Sequence, residues 1–124
     1  MADDAKDLLH GTLDLLVLRA LVTTPMHGFA LSKWIDERTG GDLGIVDSAL
    51  YKALHRLEDS GAVNAEWGAS ENNRRAKYYS LTTKGRQRLR TEIASWKHYV
   101  ATVTGILDPT AKPIAPRRVR SDVL

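Results

Sequence analysis

A chain of 124 residues that is 43% hydrophobic and lacks cysteine is sized for one globular domain with a modest core. A core this small cannot spare side chains to line a large substrate cleft, and zero Cys excludes disulfide frameworks, Cys-based zinc sites and thiol nucleophiles. The net charge of +3 conceals an asymmetry, since residues 1–60 carry 6 Lys/Arg against 10 Asp/Glu (net −4) and residues 61–124 carry 12 against 5 (net +7), which makes the second half the one suited to a polyanion. Met1 to Asp7 is acidic where a secretory leader would be basic. The longest nearly apolar stretch, Leu13 to Val22, contains Asp14 and Arg19 and is too short for a membrane span. The expectation is a cytoplasmic protein without membrane contact.

In chain order, Leu13, Leu16, Val17, Ala20 and Leu21 recur at intervals of three and four between Gly11 and Pro25, predicting an amphipathic helix over Thr12–Thr23. Phe29, Leu31, Trp34 and Ile35 predict a second helix over Gly28–Arg38, stopped by Gly40 and Gly41. Asp47 or Ser48 is the candidate cap of a third, with Leu50, Ala53, Leu54 and Leu57 on one face and Gly61 at its end. After Gly61 the character changes. Ala62–Trp67 and Lys77–Leu81 have the β-branched and aromatic content of strands and flank the polar stretch Gly68–Arg75, which predicts a β-hairpin with a long basic tip. Thr82 or Thr83 can cap a long helix reaching about Leu107, along which Leu89, Ile93, Trp96, Val100, Val103 and Leu107 alternate spacings of four and three as a heptad seam does. From Asp108 onward Pro109, Pro113 and Pro116 with Arg117, Arg118 and Arg120 mark an extended basic tail.

Three helices followed by a hairpin is the order of a winged helix-turn-helix, so the expected fold is mainly α with a small β-hairpin and a long C-terminal dimerisation helix. Residues 8–82 form the DNA-binding domain, 83–107 the dimerisation helix and 108–124 the tail. Helical phase tests the assignment. If Leu50, Ala53, Leu54 and Leu57 face inward, a rotation of about 100 degrees per residue turns Ser48, Lys52, His55 and Asp59 outward, with Tyr51 and Arg56 on the flanks. Ser48 and Tyr51 can donate to phosphate, Lys52 is a point charge for phosphate or guanine, and His55 or Arg56 can reach base edges. Asp59 is the exception, and with Glu58 it offers surface pairing instead. At the wing tip Asn73, Arg74, Arg75 and Lys77 concentrate positive charge on an element with no core role. The seam from Ile93 to Leu107 cannot be covered by so small a domain and would form an exposed apolar stripe, so a second copy is its expected cover, with Leu8, Leu9 and the first helix closing over it.

Residues 8–107 resemble the PadR family of bacterial transcriptional regulators, in particular its short members with a single C-terminal dimerisation helix. The resemblance is carried by Leu9-His10-Gly11-Thr12-Leu13-Asp14-Leu15-Leu16-Val17-Leu18, Met26-His27-Gly28-Phe29-Ala30-Leu31, Leu50-Tyr51-Lys52-Ala53-Leu54-His55-Arg56-Leu57-Glu58, and the stretch from Glu66-Trp67-Gly68 through Arg74-Arg75-Ala76-Lys77-Tyr78-Tyr79-Ser80-Leu81-Thr82. It implies a homodimeric repressor that places the helix around Tyr51 and the wing around Arg74 and Arg75 on double-stranded operator DNA. Lys52 stands where the family commonly has proline after the Leu-Tyr pair, and Ala49 where serine is usual.

For catalysis, neither a nucleophile with its base nor a carboxylate pair is recognisable in the sequence. His10, His27, His55 and His98 are scattered singly without metal-ligand spacing, and no phosphate-binding glycine loop follows a strand. The expectation is a non-enzyme with no cofactor and no metal. Two further readings stay open. One is a winged helix that binds protein instead of DNA. The other adds a small aromatic effector stacking on Trp34, Trp96 and Tyr99, residues that at helical spacing also serve as core.

Overall fold

The computed structural model describes residues 11–110. Its elements are α1 (Thr12–Ala20), β1 (Met26–His27), α2 (Gly28–Thr39), α3 (Asp47–Asp59), β2 (Val63–Ala69), β3 (Arg75–Leu81) and α4 (Thr83–Leu107). Chain contacts divide it into two compact units, one ending at Glu92 and one beginning at Ile93, so that α4 passes from the first into the second. The basic tail from residue 111 onward, and Leu8 and Leu9, lie outside the described residues.

In the first unit the apolar faces of the three short helices meet around Val17, Leu18, Leu31, Leu50, Leu54 and Leu57, all at 0–1% exposure. Burying a leucine side chain contributes about 2 kcal/mol each at ordinary transfer values. The ends of the helices follow local chemistry. His27 caps α2, its Nδ1 accepting the Ala30 N–H at 3.1 Å. Gly40 ends that helix in the left-handed region, φ 60°, with its N–H bonded to the Asp36 carbonyl, a conformation that costs glycine least. Thr82, one of the two caps the sequence offers, caps α4 by accepting the Gly85 N–H at 3.0 Å. The third helix departs from expectation. Its cap position is Val46, with no side-chain hydrogen bond, and Asp47 and Ser48 lie within the first turn. The first helix is also shorter than expected, ending at Ala20 and followed by a turn.

The hairpin is part of a three-stranded antiparallel sheet in the order β1-β3-β2. Met26 pairs with Tyr79 and His27 with Tyr78 on one side of β3, while Val63 to Ala69 pair with Leu81 to Arg75 on the other. The two-residue β1 is absent from the sequence prediction. The tip is shorter than predicted because pairing continues outward to Ala69 and Arg75. The remaining turn is closed by Ser70 N–H to the Arg74 carbonyl and Asn73 N–H to the Ser70 carbonyl, both 2.8 Å. Asn73 takes the left-handed conformation, φ 60°, which asparagine tolerates better than most residues.

One residue of the expected dimer seam belongs elsewhere. Leu89 is 6% exposed and forms part of the single-chain core, because it lies on the first turns of α4, within the unit that ends at Glu92.

Candidate nucleic-acid interface

The phase of α3 is as the leucine spacing predicts. With Leu50, Ala53, Leu54 and Leu57 at 0–1% exposure, Ser48, Tyr51, Lys52, His55 and Arg56 emerge together along one shallow concavity of about 620 Å³. Tyr51 is half exposed. Its hydroxyl and ring edge lie directly over Gly28 at the start of α2, where a Cβ would collide with them. The glycine is what lets α2 approach the tyrosine so closely.

The charges around this face are not equally free. Arg56 Nη2 donates to Asp14 Oδ1 at 2.7 Å, so one edge of its guanidinium is engaged, although the side chain remains 57% exposed. His55 Nε2 lies 3.5 Å from Asp59 Oδ2 one turn on. Lys77 Nζ lies 3.2 Å from Glu58 Oε1, and that hydrogen bond, with the charge interaction of the Tyr79 phenol group second, holds the lysine ammonium above its usual pKa. Burial pushes the Tyr79 phenol up, against the opposing effect of the same lysine. Lys77 thus ties β3 of the wing to the end of α3, whereas the sequence places it among the charges of a free tip. Lys52, Arg74 and Arg75 have no carboxylate within ion-pair distance among the described residues.

Between α2, α3 and the wing runs an open groove of about 540 Å³, with Arg74, Arg75 and Lys77 on its wing side and Tyr51 on its helix side. Two aromatic residues that the sequence reading assigned no DNA role also line it. Phe29 is 70% and Trp67 60% exposed, and the Arg75 guanidinium sits 4.9 Å from the Trp67 ring centroid, within the range of a cation–π contact. Alternation along β2 puts Trp67 on the same face as the buried Val63, so the strand pattern gave no sign of its exposure. Phe29 gave none either, because in a helical pattern it reads as core.

In the second unit, Ile93 and Val103 are half-buried, while Trp96 and Val100 are 41% and 40% exposed and Leu107 is 75% exposed. Trp96 and Tyr99 stand with ring centroids 6.2 Å apart. Trp34, in the first unit, is covered by the Arg38 guanidinium at 3.9 Å. Among the described residues no cluster of three or more His, Asp or Glu side chains could hold a metal ion, and no helix is long and apolar enough to cross a membrane.

Comparison with known proteins gives a family match and a set of similar structures. The Transcriptional regulator PadR-like family matches residues 17–91. A PadR family transcriptional regulator from Eggerthella lenta is 32% identical, with 86% of this chain and 90% of that one covered and a TM-score of 0.69. A Streptococcus transcriptional regulator is 28% identical over 82% of this chain and 97% of that one, TM-score 0.72. An uncharacterised protein from Lysinibacillus sphaericus is 29% identical over 82% of this chain and 90% of its own length.

Proposed function

We propose, from the premise that this chain belongs to the PadR-like family of transcriptional regulators and is a DNA-binding regulator, that it acts as a homodimeric repressor on an inverted-repeat operator. The observation that carries the reading is the split face of α3, whose four inward apolar residues are sealed while Ser48, Tyr51, Lys52, His55 and Arg56 share one outward concavity. An exposed helix face of this composition suits the major groove, with Tyr51 and Ser48 donating to phosphate and Lys52 or His55 reaching base edges. Arg74 and Arg75 on the wing supply flanking backbone contacts, with Asn73 shaping the turn that presents them. Lys77 acts as a brace between wing and helix more than as a DNA contact, given its pairing with Glu58.

The apolar stripe Ile93, Trp96, Val100, Val103 and Leu107 is the proposed pairing surface, with Leu8 and Leu9 as further contributors. A two-fold dimer would carry two reading helices and favour half-sites about one helical turn apart or a multiple of it. Trp96 and Tyr99, paired and exposed, are the proposed contacts for a flat aromatic effector, which would quench tryptophan fluorescence and release DNA. Trp34 fits that role less well because Arg38 occupies its ring.

Selection of bound duplexes from fragmented genomic DNA with the purified chain tests the function. The expected outcome is enrichment of fragments sharing an inverted repeat, with affinity falling steeply as salt rises because phosphate contacts release counterions. Enrichment of no sequence, with salt-insensitive capture of protein partners, would instead favour the interaction-module reading.

A further inference from the structure

Asp14 is the one buried charged side chain among the described residues, 7% exposed on α1. Its two oxygens are divided between two helices. Oδ1 accepts from Arg56 Nη2 on α3 at 2.7 Å, and Oδ2 accepts from Arg88 Nη2 on α4 at 3.5 Å. Arg88 is held further by Glu92 one turn on and by the Ser60 hydroxyl at 3.4 Å, just past the end of α3. One carboxylate therefore joins three helices at the point where α3 ends and α4 begins.

Stability alone is a poor account of this arrangement. Taking a carboxylate out of water costs several kcal/mol before its partners offset it, and well-packed apolar residues often serve as well or better. The two arginines do not need the carboxylate either, since their side chains remain 57% and 35% exposed. Position is the better account. The start of α3 has no side-chain cap, so polar anchoring of this helix falls on its last turns, through Arg56 to Asp14 and through Glu58 to Lys77. Base readout depends on donors held to within about half an ångström of their partners, and Arg56 lies one turn beyond Lys52 on the outward face.

We propose that Asp14 is a positioning residue for DNA recognition. Its buried carboxylate fixes the set of α3 against the foot of α4, so that discrimination between sequences depends on an ion cluster that touches no nucleotide. The proposal rests on α3 being the reading helix. Loosening the cluster leaves the phosphate-contacting charges in place and blurs the register of the base contacts, which lowers specificity without lowering general affinity.

The test uses the full chain, a duplex that it selects from a random-sequence library, and a random duplex of equal length, with binding followed by fluorescence anisotropy. Asp14→Asn and Arg88→Gln are each expected to reduce the ratio of selected to random affinity by about tenfold, with random-duplex affinity within roughly twofold of the parent. The Asp14→Asn, Arg88→Gln double variant is expected to be no worse than the poorer single, since the two act through one contact, and Arg88→Lys is expected to recover part of the loss. The proposal is overturned if both singles keep the parental ratio, if selected and random binding fall together, or if the double change is additive. Should Asp14→Asn fail to fold, Arg88→Gln decides, because that side chain is partly exposed and Asp14 keeps its shorter ion pair with Arg56 when it is removed. A parent chain that selects no sequence overturns the α3 reading itself, a result distinct from any change among the variants.

Discussion

The ammonium of Lys77 on β3 lies 3.2 Å from the carboxylate of Glu58 in the last turn of α3, a direct polar link between the wing and the helix beside it. Because the pair holds the lysine above its usual pKa, its contribution to stability is complete below the unfolded lysine value of about 10.4 and is lost only as alkali passes the higher folded value. Glu58→Gln should therefore change the thermal midpoint little at neutral pH, where the pair is partly exposed and water-screened. It should release Lys77 toward phosphate and steepen the logarithmic salt dependence of DNA binding by about one ion, read by anisotropy between low and moderate salt.

The outward residues of α3 and the wing can be separated from the fold by paired substitution. Tyr51→Ala with Lys52→Ala, and Arg74→Ala with Arg75→Ala, should each weaken operator binding by about 2 kcal/mol or more while circular dichroism and oligomeric state are retained. Full affinity in both variants would contradict the assigned interface.

The stripe of α4 predicts a different phenotype. Val100, 40% exposed among Trp96, Val103 and their neighbours, should not tolerate charge if a second copy covers it. Val100→Asp should sediment as a monomer, and operator affinity should fall as a secondary effect, because pairing doubles the readout.

The His27 cap predicts a stability effect. His27→Ala removes the acceptor of the Ala30 N–H and should cost about 1 kcal/mol, a fall of roughly 4–8 °C in the thermal midpoint of a domain this size. His27→Asn, which keeps a capping acceptor, should restore most of it, as thermal circular dichroism can show.

What could be read from residue order was whatever depends on near neighbours. The inward and outward halves of α3 follow from the spacing of Leu50, Leu54 and Leu57, and the cap at Thr82 from its place before a helical run. Contacts between distant residues were hidden. Asp14 looked like an interruption of an apolar helix because its partners lie 42 and 74 positions away. Met26 and His27 showed no strand pattern because two residues have no periodicity, and they become a strand only when Tyr78 and Tyr79 supply the hydrogen-bonding partner. The tip of the wing was overestimated for the same reason, since Gly68, Ala69 and Arg75 look like loop residues until cross-strand pairing extends over them. Phe29 could not be told from core by helical pattern alone, and only the groove beside it separates the two.

Thr82 is the sole residue between β3 and α4. Its hydroxyl donates to the Gly61 and Ala62 carbonyls, at 2.7 and 3.0 Å, while accepting the N–H of Gly85. A junction knotted by one oxygen leaves no slack to trim or lengthen. Chimeras that graft this head onto a foreign coiled coil must therefore carry the Gly61 turn and the stretch from Thr82 to Gly85 along with it, and a splice made between Leu81 and Thr82 would sever the seam that gives the transplanted rod its starting direction.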